Sequence, residues 1–128
     1  MIILALTTAP HYLTIIPLNI KCTELTLRYN YIIIISTSFS IMWHLQNEPF
    51  GLLLFLNYLF AYIWNIYDII LVLDEKNRNG LVQIILLNCI MAYTNYSIVY
   101  NNSYLYYYSL WHAVSVLKCY YISRFILS

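Results

Sequence analysis

FGLLLFLNYLFAYIWNIYDIILVL, residues Phe50–Leu73, contains a single charged side chain, Asp68. About 20 mostly apolar residues suffice to carry an α-helix across the hydrocarbon core of a bilayer. This stretch therefore reads as a transmembrane helix. Its flanks agree: Gln46-Asn-Glu-Pro49 precedes it and Asp74-Glu-Lys-Asn-Arg-Asn-Gly80 follows it, both short and polar. Pro49 suits the first turn of a new helix, and Gly80 suits a break between two.

Four further apolar stretches lie outward of it: Met1–Ile20, Tyr29–Leu45, Leu81–Val99 and Tyr104–Leu127. The first is interrupted by Pro10, His11 and Pro17. No basic segment precedes it and no clean small-residue cleavage site follows, so it reads as an uncleaved, kinked first helix rather than a signal peptide. No internal repeat occurs, and no strand-like alternation outcompetes the helical pattern. The expected fold is all-α: one transmembrane domain over residues 1–128, a polytopic bundle of four to five helices.

Composition points the same way. Of 128 residues, 62% are hydrophobic and 9% charged, and the mean hydropathy is +0.70. A soluble domain carries about a quarter charged residues, and a chain this short has too much surface to hide so many apolar side chains from water. The bilayer is thus the first partner. A net charge of +1 with no basic run argues against nucleic acid. Cys22, Cys89 and Cys119 are far apart and form no CxxC pair, so they read as small apolar residues in or beside helices.

The basic residues set the orientation. Lys21 and Arg28 fall in the first connector, Lys76 and Arg78 in the third, and Lys118 and Arg124 in the second half of the last stretch. With five spans, these share one side. The positive-inside rule puts that side in the cytoplasm and the N-terminus outside or in a lumen. The tyrosines at positions 100, 104, 106, 107 and 108 then cluster at the outer boundary, and Asn101-Asn-Ser103 is a glycosylation sequon on the outer side.

Polar side chains are costly in lipid and should face protein or a water-filled cavity. Each long stretch carries them at helical spacing: Ser36, Ser40 and His44; Asn57, Ala61, Asn65 and Asp68; Asn88, Ala92 and Asn95; Tyr108, His112, Ser115 and Cys119. These stripes are expected to line the bundle interior. At about 1.5 Å per residue, Ser40, His44, Asn57 and His112 come to the outer leaflet, with His44 nearest its surface. Asp68 and Lys118 fall in the cytoplasmic half and are expected to form a structural ion pair, since two such charges bury acceptably only when paired. His11, beside Pro10, is expected in a loop or at the interface. On chemistry alone, a histidine inside a membrane bundle is more often an interhelical hydrogen-bonding residue than a metal ligand.

Three segments together resemble a known pattern: Phe39-Ser40-Ile-Met-Trp-His44, Asn57 within an aromatic helix, and Ser109-Leu-Trp-His112-Ala-Val-Ser115. The pattern is similar to that of the alkaline ceramidases, the adiponectin and progestin receptors and the transmembrane GPI-processing hydrolases. Those proteins show Ser-x3-His on an early helix, Asp on the next and His-x3-His on the last. The resemblance implies zinc held by three histidines, with Ser and Asp acting through a metal-bound water to hydrolyse a lipid amide or ester. Three imidazoles leave one zinc position open for water, whose pKa the metal lowers to about 7.

In this chain Ser40 and His44 match the first motif, and His112 matches the second His of the last. Tyr108 stands where the first His belongs, Asn57 near the place of the Asp, and at most five helices stand against seven. Ser40 and Asn57 are the implied catalytic positions and His44 and His112 the implied zinc ligands. Because Asn is no base, the resemblance implies a shortened, hydrolase-like relative that binds a lipid or a metal. A structural or assembly subunit that packs on other membrane helices, and an active zinc-dependent lipid amidase or esterase, are the alternatives.

Overall fold

The computed structural model describes residues 2–18, 23–74, 78–100 and 102–126, and all regular structure among them is helical. Lys21, Cys22, Lys76 and Asn101, which bear on the charge, cysteine and sequon readings, lie outside the described residues.

The N-terminal stretch is α1 (Ile2–Thr8), a 3-10 turn (Ala9–Thr14) and α2 (Ile15–Leu18). Pro10 sits at the start of the 3-10 segment. Its ring removes a backbone donor and crowds the preceding turn, so the chain winds tighter there instead of leaving the helical path. Leu4, Thr8, His11 and Thr14 consequently stay on one buried face. His11 is 3% exposed, which corrects the expectation of a loop or interfacial residue.

The four long helices follow: α3 (Glu24–Leu45), α4 (Leu52–Asp74), α5 (Arg78–Tyr100) and α6 (Tyr104–Tyr121), the last continuing as a π-helical turn over Ile122–Ile126. α3 begins earlier than the apolar run suggests because Thr23 caps it. The Thr23 hydroxyl accepts from the Thr26 N–H (3.2 Å), and the Thr26 hydroxyl accepts from the Thr23 N–H (2.8 Å), a reciprocal capping arrangement. Arg28 then lies within the helix, paired with Glu24 one turn back, and not in a connector. α5 likewise starts at Arg78, so Gly80 belongs to its first turn and does not separate two helices. Pro49 precedes α4 instead of opening it. The bend there runs through Asn47 (φ 60°), Glu48 (φ 58°) and Gly51 (φ 129°).

Each helix packs on its neighbours in sequence, and the N-terminal segment closes the ring by wedging between α3 and α6. Three polar contacts zip that segment to α6 in the same chain direction. Thr8 meets His112 (3.1 Å), His11 meets Ser115 (2.9 Å) and Thr14 meets Cys119 (2.9 Å). An apolar cluster seals each end of the ring. One holds Tyr29, Ile33, Trp64, Leu71, Val72, Ile84, Cys119 and Ile122; the other holds Leu4, Trp43 and Tyr108. The middle layer is polar.

The stripes on α3 and α6 are buried along their whole length, and that on α4 at Asn57 and Asp68. The stripe on α5 is corrected. Ala92 and Asn95 are exposed, and the inward line is Ile84, Met91, Thr94 and Ser97, with Asn88 half-buried. Asparagine spacing marked the wrong face because apolar and hydroxyl side chains fill the α5 seam. Two of the described helices, α4 and α5 over Arg78–Ile98, are long and apolar enough to cross a membrane.

Candidate functional site

The polar middle layer has three parts, distinguished by how fully their groups are partnered. At the α3–α4 end, the tight bend after α3 swings Glu48 back beneath the last turn. Left-handed backbone at two consecutive non-glycine residues is unfavourable. Here it is held by the Glu48 N–H bonding to the Trp43 carbonyl (2.9 Å) and by the Trp43 indole N–H bonding to the Pro49 carbonyl (3.1 Å). Glu48 Oε1 then accepts from His44 Nδ1 (2.8 Å), and Oε2 accepts from the Tyr104 hydroxyl (2.5 Å).

A carboxylate on Nδ1 leaves the His44 Nε2 lone pair facing inward. That atom lies 3.4 Å from His112 Nε2, and His112 Nδ1 lies 2.8 Å from the Thr7 hydroxyl. Assigned from the network, the neutral chain runs from His112 Nε2–H to His44 Nε2 and from His44 Nδ1–H to Glu48, while the Thr7 hydroxyl donates to the Leu4 carbonyl. Both imidazoles are essentially inaccessible, at 0% and 1% exposure. Glu48, Thr7 and Thr8 were missed in the sequence. The available signal for Glu48 was its position four residues after His44, though a helix spacing says nothing once the helix has ended.

The second part is a cavity of about 30 Å³ lined by Ser36, Thr37, Ser40, Asn57, His112 and Ser115, among others. A water needs roughly 10–15 Å³ of such space, so one or two polar atoms fit. The structure thus brings Ser40, Asn57 and His112 to one cavity, while His44 reaches it only through His112. Ser36, Ser40 and Asn57 are buried. The Thr37 hydroxyl is fully enclosed and unpaired. Native proteins leave few buried polar groups unsatisfied, so the enclosed Thr37 hydroxyl, beside a cavity that Ser36, Ser40 and Asn57 also line, marks a place where something else supplies a partner.

The third part joins α3, α4, α5 and α6. Lys118 Nζ lies 2.8 Å from Asp68 Oδ2 and donates to Asn88 Oδ1 (3.1 Å) and to Asn65 Oδ1. Asp68 Oδ1 accepts from the Tyr29 hydroxyl (2.6 Å), which accepts from the Trp64 indole N–H (3.0 Å). Lys118 donates to one side chain on α4 and one on α5 and pairs in charge with Asp68, and Tyr29 extends the network to α3.

A three-histidine zinc set does not fit this site. Tyr108, not a histidine, packs against both His44 and His112, with ring centroids 5.0 Å apart in each case. His11 is committed to Ser115 through Nε2 and to the Thr8 carbonyl through Nδ1. Among the described residues no three His, Cys, Asp or Glu side chains converge on one point. No step through a metal is drawn from this arrangement.

Compared with known proteins, the chain matches no family model, no curated protein and no solved structure.

Proposed function

We propose that this chain is a polytopic membrane protein whose interior binds the polar group of a lipid, a hydrolase-like chamber that lacks the full metal-ligand set. The observation that carries the reading is a buried cavity lined by Ser36, Thr37, Ser40 and Asn57, where the enclosed Thr37 hydroxyl has no partner. A lipid carbonyl or hydroxyl supplies the kind of hydrogen bond that the Thr37 side chain lacks, and a chamber built to hydrogen-bond such a group discriminates against molecules without it.

The membrane setting is supported by an inverted distribution of polarity. Among the described residues more than half of the buried side chains are polar or charged, whereas Ile2, Phe50, Leu52, Phe55, Tyr62, Ile66, Tyr93 and Leu117 are each at least 60% exposed. Water would penalise that exterior, while lipid accepts it and drives polar groups inward. On the positive-inside rule, the connector before α5 and the end of α6 face the cytoplasm. The two-histidine chamber then lies in the opposite leaflet.

Orientation is tested by Asn102→Cys and Arg78→Cys in intact cells. The first should react with an impermeant maleimide from outside, and the second only after permeabilisation. Binding is tested with photoactivatable diazirine analogues of a ceramide and of a monoacylglycerol, crosslinked to purified protein in nanodiscs and mapped by mass spectrometry. Crosslinks near the cavity that fall at least ten-fold in Ser40→Ala/Asn57→Leu support the reading. Equal crosslinking in that variant, with its melting temperature unchanged, refutes it and favours a scaffold that packs on other membrane helices.

A further inference from the structure

His11 lies outside every motif that pointed to the chamber, yet with Ser115 it has the geometry of a base and a nucleophile. His11 Nδ1 lies 2.7 Å from the Thr8 carbonyl oxygen, and a carbonyl can only accept. The proton is therefore on Nδ1, and Nε2 carries the lone pair. Ser115 Oγ lies 2.9 Å from that lone pair and must donate to it. Nucleophile, base and orienting group are thus in line, each within hydrogen-bond reach of the next, the arrangement that activates a serine hydroxyl. Both side chains are buried, and both line the cavity that Asn57 also lines. A groove of about 370 Å³ between α4 and α5 shares Ala61, Asn65, Met91 and Trp111 with the cavity wall.

We infer that Ser115 and His11 form an acyl-transfer dyad acting on carboxylic esters of lipids. Ser115 Oγ attacks the ester carbonyl carbon while His11 Nε2 takes the hydroxyl proton. Collapse breaks the bond from the carbonyl carbon to the alkoxy oxygen, and His11 returns the proton to the departing alcohol. Water then attacks the acyl-serine, with His11 again as base, releasing the carboxylic acid and restoring the hydroxyl. The Asn57 amide supplies a donor for the negative charge that develops on the carbonyl oxygen. The orienting group is a neutral carbonyl rather than a carboxylate, so the imidazolium is less stabilised than in a full triad. That limits the site to esters and excludes the less reactive amides.

The inference rests on the lipid-binding reading for its substrate, but a small covalent probe tests the dyad without it. An alkyl fluorophosphonate forms a phosphorus–oxygen bond to an activated serine and releases fluoride. Incubated with purified wild-type protein in nanodiscs and mapped by mass spectrometry, it should label Ser115. The labelling rate should fall at least about 100-fold in His11→Ala. His11→Gln, which can keep a hydrogen bond to Ser115 without acting as a base, should retain the wild-type melting temperature and lose labelling equally.

Wild-type protein that takes no probe at Ser115, or labelling that survives His11→Gln at the wild-type rate, overturns the dyad and leaves a structural hydrogen bond. Because the wild-type map is decisive alone, unfolding of a variant does not rescue the idea. Labelling at Ser115 without lipid crosslinking would keep the dyad and remove the lipid reading, and the converse pattern would do the reverse.

Discussion

The Lys118–Asp68 network and the Ser36–Thr37–Ser40–Asn57 cavity are both buried and polar, and both sit in the middle layer of one ring of helices. They differ in bookkeeping. Around Lys118 the ammonium donates to Asn65 and Asn88 and lies 2.8 Å from Asp68 Oδ2, while Tyr29 donates to Asp68 Oδ1. Around Ser40 the enclosed Thr37 hydroxyl is unpaired, beside room for a small polar group. Satisfied polarity ties elements together, whereas unsatisfied polarity next to a cavity is a cost to the apo protein that a ligand can relieve. Buried polarity by itself therefore does not mark a site; a missing partner beside a cavity does.

The largest expected effect breaks the satisfied half. Lys118→Met should lower stability by about 3–5 kcal/mol in detergent, because it strands Asp68 in the interior. Asp68→Asn combined with Lys118→Met should recover most of that loss, as read by thermal unfolding. A double variant no more stable than the single would show that the network does more than neutralise a charge pair.

Smaller effects are expected at the bend that orients the histidines. Glu48→Gln keeps the size but replaces a charge-assisted acceptor for His44 and Tyr104, and should cost about 1.5–3 kcal/mol. An unchanged unfolding temperature would mean that Glu48 does not hold His44.

The cavity should respond in the opposite sense. Ser40→Ala/Asn57→Leu should leave stability within about 1 kcal/mol, since both side chains line the cavity. Its lipid crosslinking should nonetheless fall ten-fold, about 1.4 kcal/mol of binding. The smallest effect sharpens the same point: Thr37→Val removes a fully enclosed, unpaired hydroxyl at nearly constant shape and should raise stability by about 0.5 kcal/mol. A clear loss at Thr37→Val would reveal a partner that the cavity reading does not contain.

How much of this was legible follows from the physics of each element. The four long helices stood out as apolar runs between short polar connectors; capping at Thr23 and the early start at Arg78 extended two of them, α4 starts two residues later than its apolar run, and α6 ends at Tyr121 in a π-helical turn. Ser40, Asn57 and His112 could be assigned to one level because rise per residue converts position into depth. Asp68 and Lys118 could be matched for the same reason. The α5 stripe misled because Ala92 and Asn95 face outward, and only Asn88 reaches the interior, where it accepts from Lys118. His11 misled because Pro10 tightens the winding there without interrupting the helical path. Glu48 was hidden in a connector whose left-handed backbone no residue pattern announced.

Apolar run length, turn chemistry and the placement of charge are local properties, and they sufficed for an all-helical chain with polar faces and an ordered set of depths. Which polar groups touch, and which lack partners, depends on the closing of the ring by the N-terminal segment between α3 and α6. That contact joins residues about a hundred positions apart, such as His11 with Ser115 and Thr7 with His112. Hydrogen bonds demand alignment within a few tenths of an ångström. Helical periodicity fixes a residue's face and depth but not its distance to a neighbour, so only the tertiary structure could separate the satisfied network from the open cavity.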